Sequence, residues 1–154
     1  MKKKILFVLI ALSILGLIDA GYLTYEHYRN IIPPCSMHTW FSDCGAVLSS
    51  KYATIMNIPV ALLGAMYYVA FGFLCLLLLR KQTKLLSIIF YIVATLGGAA
   101  SLTFIFLQFF VLHAICPYCM LSDTNLLVMF GLVVSVAWNQ DSDKEEKRIT
   151  VEKS

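Results

Sequence analysis

The sequence predicts an all-α integral membrane protein, a bundle of four transmembrane helices with an extracytoplasmic loop or short surface helix between the first two. Three observations carry this reading: composition, long apolar runs, and the placement of Lys and Arg. The chain of 154 residues is 60% hydrophobic and 14% charged, against about 45–50% and about 25% in soluble domains. Only eight Asp, Glu, Lys or Arg residues lie between Ile5 and Leu112. A compact soluble domain needs a charged surface, so that class is excluded, as are a disordered chain and a nucleic-acid binder. The net charge of +3 is too small to argue for a polyanionic partner.

The runs come in order. Ile5–Thr24 carries one charge, Asp19. Ile58–Leu79 and the longer Leu85–Leu112 carry none. Leu121–Trp138 is the shortest, with Asp123 as its single charge, and its helix is expected to start earlier, after His113. About 20 apolar residues span a bilayer core, so helices are expected over about 5–26, 58–79, 85–112 and 116–138. The first run is too long for a signal peptide and lacks a small-x-small cleavage site, so it reads as a retained helix.

Orientation follows from the basic residues. Lys2, Lys3 and Lys4 precede helix one, Arg80, Lys81 and Lys84 fill the loop between helices two and three, and Lys144, Lys147, Arg148 and Lys153 lie in the tail. With four spans all of these fall on one side, which places both termini in the cytoplasm and leaves only Arg29 and Lys51 outside. Residues 1–138 then form the membrane domain, and 139–154 a charged cytoplasmic tail without fixed structure.

The outer face holds a long segment, His27–Asn57, and a short one from His113 to about Met120. The long segment exceeds what a plain connection needs, and so reads as a functional loop or cap. Pro33-Pro34 breaks any continuing helix, Asp43-Cys44-Gly45 reads as a turn, and Gly45–Ala53 fits a short surface helix. Pro59 suits the first turn of helix two.

The cysteines carry the chemistry. Cys75 lies deep in helix two and reads as a small packing residue. Cys35, Cys44, Cys116 and Cys119 all map to the outer face, where disulfides form and persist. Cys116-Pro117-Tyr118-Cys119 opens helix four, and at i and i+3 its sulfurs share one face. A helix N-terminus favours the thiolate, which is the attacking species. Two static disulfides are the bland alternative. A four-cysteine zinc site is disfavoured by the membrane edge and by the wide gap between Cys35 and Cys44.

The chain resembles the vitamin K epoxide reductase family, bacterial branch, over about Leu9–Trp138. The motifs are Tyr22-Leu23-Thr24 with His27-Tyr28, the Cys35/Cys44 loop pair, Cys44-Gly45-Ala46-Val47-Leu48-Ser49-Ser50, Ile58-Pro59-Val60-Ala61-Leu62-Leu63-Gly64, and Phe110-Val111-Leu112 before Cys116-x-x-Cys119. Another bacterial family of disulfide-generating membrane proteins places its Cys-x-x-Cys just after helix one, whereas here it opens helix four.

The resemblance implies a bundle surrounding a quinone, either menaquinone or ubiquinone. It implies Cys116 and Cys119 as the redox centre, and Cys35 and Cys44 as a shuttle pair exchanging with a thioredoxin-like, Dsb-type protein. Ser50 matches the family's serine near the quinone, where it is expected to offer a hydroxyl donor. No fused thioredoxin domain is expected, so the partner is a separate extracytoplasmic protein, and the site of action is the bacterial inner membrane with the active site facing outward. Vertebrate members carry an Asn and a Tyr that fall at Val60 and Asp123 here, so the resemblance carries over dithiol oxidation by quinone and not epoxide reduction.

Other positions are weaker. Asp123, one turn past Cys119, is an intramembrane acid suited to relaying a proton or polarising a quinone carbonyl. Tyr67 and Phe104 match pocket positions of the family, with packing as the plain reading. Asp19 reads as packing or polar capping, Gln108 and Thr103 as interhelical hydrogen-bond formers, and His113 as a neighbour able to tune Cys116. Two functions remain: a quinone-dependent thiol oxidase that generates disulfides for secreted proteins, and a non-enzymatic membrane protein with two structural disulfides.

Overall fold

The computed structural model describes residues 3–29, 44–48, 50–56 and 58–152, apart from the side chains of residue 46 and of residues 139–152. Cys35, Pro33-Pro34 and Asp43 lie outside the described residues. The elements are α1 (Lys3–Arg29), α2 (Cys44–Leu48), β1 (Thr54–Ile55), β2 (Ile58–Pro59), α3 (Val60–Arg80), α4 (Lys84–Phe106) with a π-helical turn over Leu107–Val111, and α5 (Pro117–Glu152). Four of them, α1, α3, α4 with its π turn, and α5 as far as Trp138, are long and apolar enough to cross a membrane. The predicted four-span, all-helical architecture is the one observed.

Each span turns a narrow stripe inward and leaves apolar side chains outward, as expected where lipid is the solvent. On α1 the stripe is Leu6, Leu9, Ser13, Gly16, Ala20 and Leu23, spaced three and four apart, while Phe7, Ile14, Leu15 and Ile18 are exposed. Lipid tails are as apolar as leucine, so close backbone approach and polar contacts hold such helices together. The α1–α3 seam has this character. Gly64 sits against Ala20 Cβ at 3.8 Å and Gly72 against Ser13 Cβ at 3.4 Å, and a Cβ on Gly16 would overlap the Tyr68 ring. That register runs the two helices antiparallel. On α4, Gly97 and Gly98 leave room for the rings of Tyr67 and Phe130.

The end of the bundle that carries the α3–α4 loop is densely filled. Leu6, Leu9, Phe71, Cys75, Leu78, Phe90 and Val133 form its core. Phe71 packs on Phe90 at 5.0 Å between ring centroids and stacks on Tyr67 at 5.8 Å. Cys75 is fully buried there, as its packing role predicts. Thr83 caps α4 by accepting from Leu86 N–H at 3.3 Å.

Several local expectations change. The predicted surface helix over Gly45–Ala53 is shorter and starts earlier, so Cys44-Gly45 opens α2 instead of forming a turn. After α2 the chain turns, with Ala53 N–H bonding to Ser50 O at 3.0 Å, and pairs as a short antiparallel ladder, Thr54 with Pro59 and Ile55 with Ile58. Pro59 precedes α3 as its N-cap residue instead of standing in its first turn. Helix three does not stay regular to Leu112, because the π turn ends it, with Leu112 N–H reaching Leu107 O at 2.8 Å. Helix four continues to Glu152, where a structureless tail was expected. The stretch after Trp138 contains no Gly or Pro and is rich in Lys, Glu and Arg, which are strong helix formers.

Candidate functional site

The opposite end of the bundle is hollow. A cavity of about 480 Å³ lies between α1, α3, α4 and α5 under the α2–hairpin segment. Small residues create the space: Gly64 on α3, and Gly97 and Ala100 on α4, all line it. The walls are mostly apolar, with Leu23, Leu63, Leu96, Leu107 and Leu126 among them. Leu63 and Leu96 in this wall are exposed.

The polar groups converge at one side. Cys116 directly precedes α5 and its carbonyl accepts the Met120 N–H at 2.9 Å, the first bond of the helix. Pro117 then occupies the first helical position, where a missing N–H costs nothing. Cys119 falls one turn on, and its N–H points at Cys116 Sγ at 3.5 Å. Both are free thiols in this structure. Cys116 is fully buried, whereas Cys119 lines the cavity. The Cys119 thiol as hydrogen-bond donor, aided by the Cys119 and Tyr118 backbone N–H groups, pulls the Cys116 thiol below its ordinary value. That is the effect expected of a helix N-terminus.

Ser50, Tyr67, Phe104 and Asp123 all line the same cavity as Cys119. Ser50 Oγ donates to Val47 O at 2.8 Å, so its proton closes α2 in this structure. Tyr67 OH donates to Val93 O at 3.2 Å, which stands its ring upright on the wall. Asp123 is buried, one helical turn past Cys119, and Ser101 Oγ donates to its backbone carbonyl at 2.7 Å. Cys44 is buried and disulfide-bonded.

Other candidates separate clearly. Thr103 donates to Ala99 O on its own helix and is exposed, so it takes no part. His113 has a left-handed backbone, φ 48°, is exposed, and does not line the cavity. Asp19 is not a cap: among the described residues its Oδ2 is buried with no hydrogen-bond partner, and it lies within electrostatic reach of Asp123 and both thiols.

Sequence reasoning missed three wall residues, His27, Tyr68 and Ser122. Tyr68 OH bonds to Ser122 O at 3.0 Å, and Asn125 Nδ2 reaches Leu12 O at 3.0 Å, so the floor of the cavity is a polar tie between α1, α3 and α5. The signal for it was present: Ser122, Asp123 and Asn125 crowd one turn of an otherwise apolar helix.

Fold and site together define a polytopic membrane protein with a Cys-x-x-Cys pair beside a mostly apolar chamber that Cys119 lines. Residues 7–134 match the model of the vitamin K epoxide reductase family, and the chain belongs to that family. Its members are quinone-linked thiol oxidoreductases that work with a redox partner in the membrane. A search of curated proteins returned no match.

Proposed function

We propose that this chain is a quinone-dependent thiol oxidoreductase that reoxidises a separate thioredoxin-like, Dsb-type extracytoplasmic protein and so generates disulfides for secreted proteins. The observation that carries the reading is the position of Cys119 on the wall of the cavity, with Cys116 buried behind it at the start of α5. An apolar chamber with a few convergent polar groups is the form of a small-molecule site. Its volume, mostly apolar walls and ring-bearing sides suit a quinone as the electron-accepting substrate.

Electrons enter at the loop pair. The reduced partner attacks the Cys35–Cys44 bridge at Cys35, forming a mixed disulfide and releasing Cys44. A second partner thiolate displaces Cys35 and leaves the partner oxidised. Cys44 attacks Cys116 of an oxidised Cys116–Cys119 pair, and Cys119 leaves as thiolate; attack by Cys35 on Cys44 then restores the loop bridge. Each exchange is a thiolate displacement, and the relay as a whole moves two electrons. The reduced pair, two thiols, gives two electrons and two protons to the quinone and becomes a disulfide again. Ser50, Tyr67 and Phe104 bound the ring, and Asp123 takes the proton from Cys119. The protein acts in the bacterial inner membrane with this site outward.

The test is reconstitution. Purified protein, reduced thioredoxin-like substrate and a water-soluble quinone are mixed, and quinone absorbance is followed. Loss of quinone matched one-for-one by substrate disulfide supports the reading. Substrate that stays reduced, with the cysteines indifferent to quinone, overturns it in favour of structural disulfides.

A further inference from the structure

Gln108 is a glutamine inside a membrane bundle, 3% exposed. The plain expectation for such a residue is a bond that ties one helix to the next. It makes such a bond, to Asp123 on α5, and a second one to the backbone at the start of that helix. Its Oε1 accepts the backbone N–H of Cys116 at 3.0 Å, and its Nε2 donates to Asp123 Oδ2 at 3.3 Å. The amide orientation is settled by chemistry: a backbone N–H only donates, so the oxygen must face Cys116 and the nitrogen the carboxylate.

The π turn makes this possible. Its wide last turn lets Leu112 and Ala114 bond back to the carbonyls of Leu107 and Gln108, at 2.8 and 3.2 Å. The link to α5 is thereby folded over Gln108, and Cys116 arrives above its side chain. Turns of this π type within helices are frequent at functional sites.

We infer that Gln108 is a positioning residue that couples the Cys116–Cys119 pair to Asp123, holding the carboxylate where it accepts the thiol proton. One planar amide fixes both the backbone of the first cysteine and one oxygen of the acid. When the pair is oxidised, two S–H bonds break, one S–S bond forms, and two electrons and two protons go to the quinone substrate. Asp123 receives the Cys119 proton and passes it on, so the acid ends the cycle as it began. Gln108 acts through the backbone and the acid, not on the sulfurs. The other titratable groups around the acid are Asp19 from α1, Tyr68 from α3, and the two thiols of the Cys-x-x-Cys.

The inference rests on the dithiol-to-quinone reading, and the test separates the two. Full-length protein in detergent is reduced, freed of quinone, and alkylated with iodoacetamide between pH 5 and pH 9 (a range chosen to bracket roughly neutral titrations). The rate at Cys119 should show an acid-side inflection that reports Asp123, and Asp123→Asn should abolish it. Gln108→Met keeps the volume but removes both hydrogen bonds, so the inflection should move to higher pH. Gln108→Glu should move it further, because a second negative charge then faces the acid. Turnover at neutral pH should fall roughly tenfold in Gln108→Met, the loss of one hydrogen bond to a charged group. Ser135→Ala removes a hydrogen bond within α5 away from the acid and should leave the inflection in place. If Gln108→Met does not insert, Gln108→Glu decides alone, since it keeps an acceptor for Cys116 N–H. An unmoved inflection in the Gln108 variants, or one that survives Asp123→Asn, overturns the inference. Wild-type protein that reduces no quinone overturns the functional reading instead, and leaves the alkylation result standing.

Discussion

The described cysteines differ in their local physics, and the proposed relay depends on those differences. Cys75 is a packed sulfur in the dense core, and Cys75→Ala should change neither trapping nor turnover. Removing a resolving thiol should stall the relay with its intermediate intact. Cys44→Ser should accumulate a Cys35–partner adduct, a larger band on a non-reducing gel that collapses with reductant. Cys119→Ser should instead accumulate an internal Cys44–Cys116 bond, read by peptide mapping. No adduct from Cys44→Ser, with one from Cys35→Ser, would exchange the roles of the two loop residues. The Cys116 thiol is held below its ordinary value chiefly by the Cys119 thiol. Cys119→Ala removes that donor, so the pH profile of Cys116 ionisation, followed by thiolate absorbance, should move to higher pH. Ser50→Ala breaks the bond to Val47 O and removes a hydroxyl from the cavity wall. One such bond is worth about 1 kcal/mol, so quinone turnover should fall by up to roughly tenfold with all disulfides still formed.

At the scale of the element, the helices were legible because their apolar runs match a bilayer, and the details that were not legible are those set by hydrogen bonds. Nothing in Leu107–Val111 marks a π turn, since Leu, Gln, Phe, Phe and Val all fit an α-helix. The wide turn follows from where the chain must go next. Likewise α2 ends at Leu48 because Ser50 folds back on Val47, a contact that periodicity does not reveal. The site was legible as far as its residue types were chemically rare in an apolar chain. Cys116, Cys119 and Asp123 stand out on that ground, whereas Tyr68 looks like packing, and Gln108 was legible as the interhelical bond it makes but not as the acceptor for Cys116 N–H. The α1–α3 seam gives a test at this scale. Tyr68 is held by Ser122 and Asn125, so its ring cannot easily move aside for a side chain at position 16. Overpacking of this kind costs about 1–3 kcal/mol, and Gly16→Ala should lower the thermal midpoint in detergent. An unchanged midpoint would mean that the seam can repack.

For the whole molecule, charge placement decides orientation. A reporter fused after Trp138 should score cytoplasmic, and one inserted near Met37 extracytoplasmic. A C-terminal reporter on the outside, with the Met37 reporter also outside, would place the two cysteine pairs on opposite faces and end the proposed relay. The architecture is otherwise a simple one: four antiparallel spans, a filled end and an open end, with the redox pair at the mouth of the open end. The sequence contained this asymmetry in outline. Aromatic and aliphatic residues dominate the stripes at one end, while Gly, Ala, Ser, Asp and Asn accumulate at the other.

That asymmetry gives the bundle two stabilities. The packed end has the contacts that resist opening, while at the hollow end part of each helix lines a space instead of touching a neighbour. Local opening takes place where buried contacts are fewest. Backbone amides in the first half of α3 and the second half of α4 should therefore exchange with deuterium sooner than those of the packed end. A molecule that fills the chamber would close this gap, since anything bound only to the folded state stabilises it by mass action. The occupied enzyme would then be stiff along its whole length, and each departure of product would briefly soften the end that must admit the next molecule from the lipid.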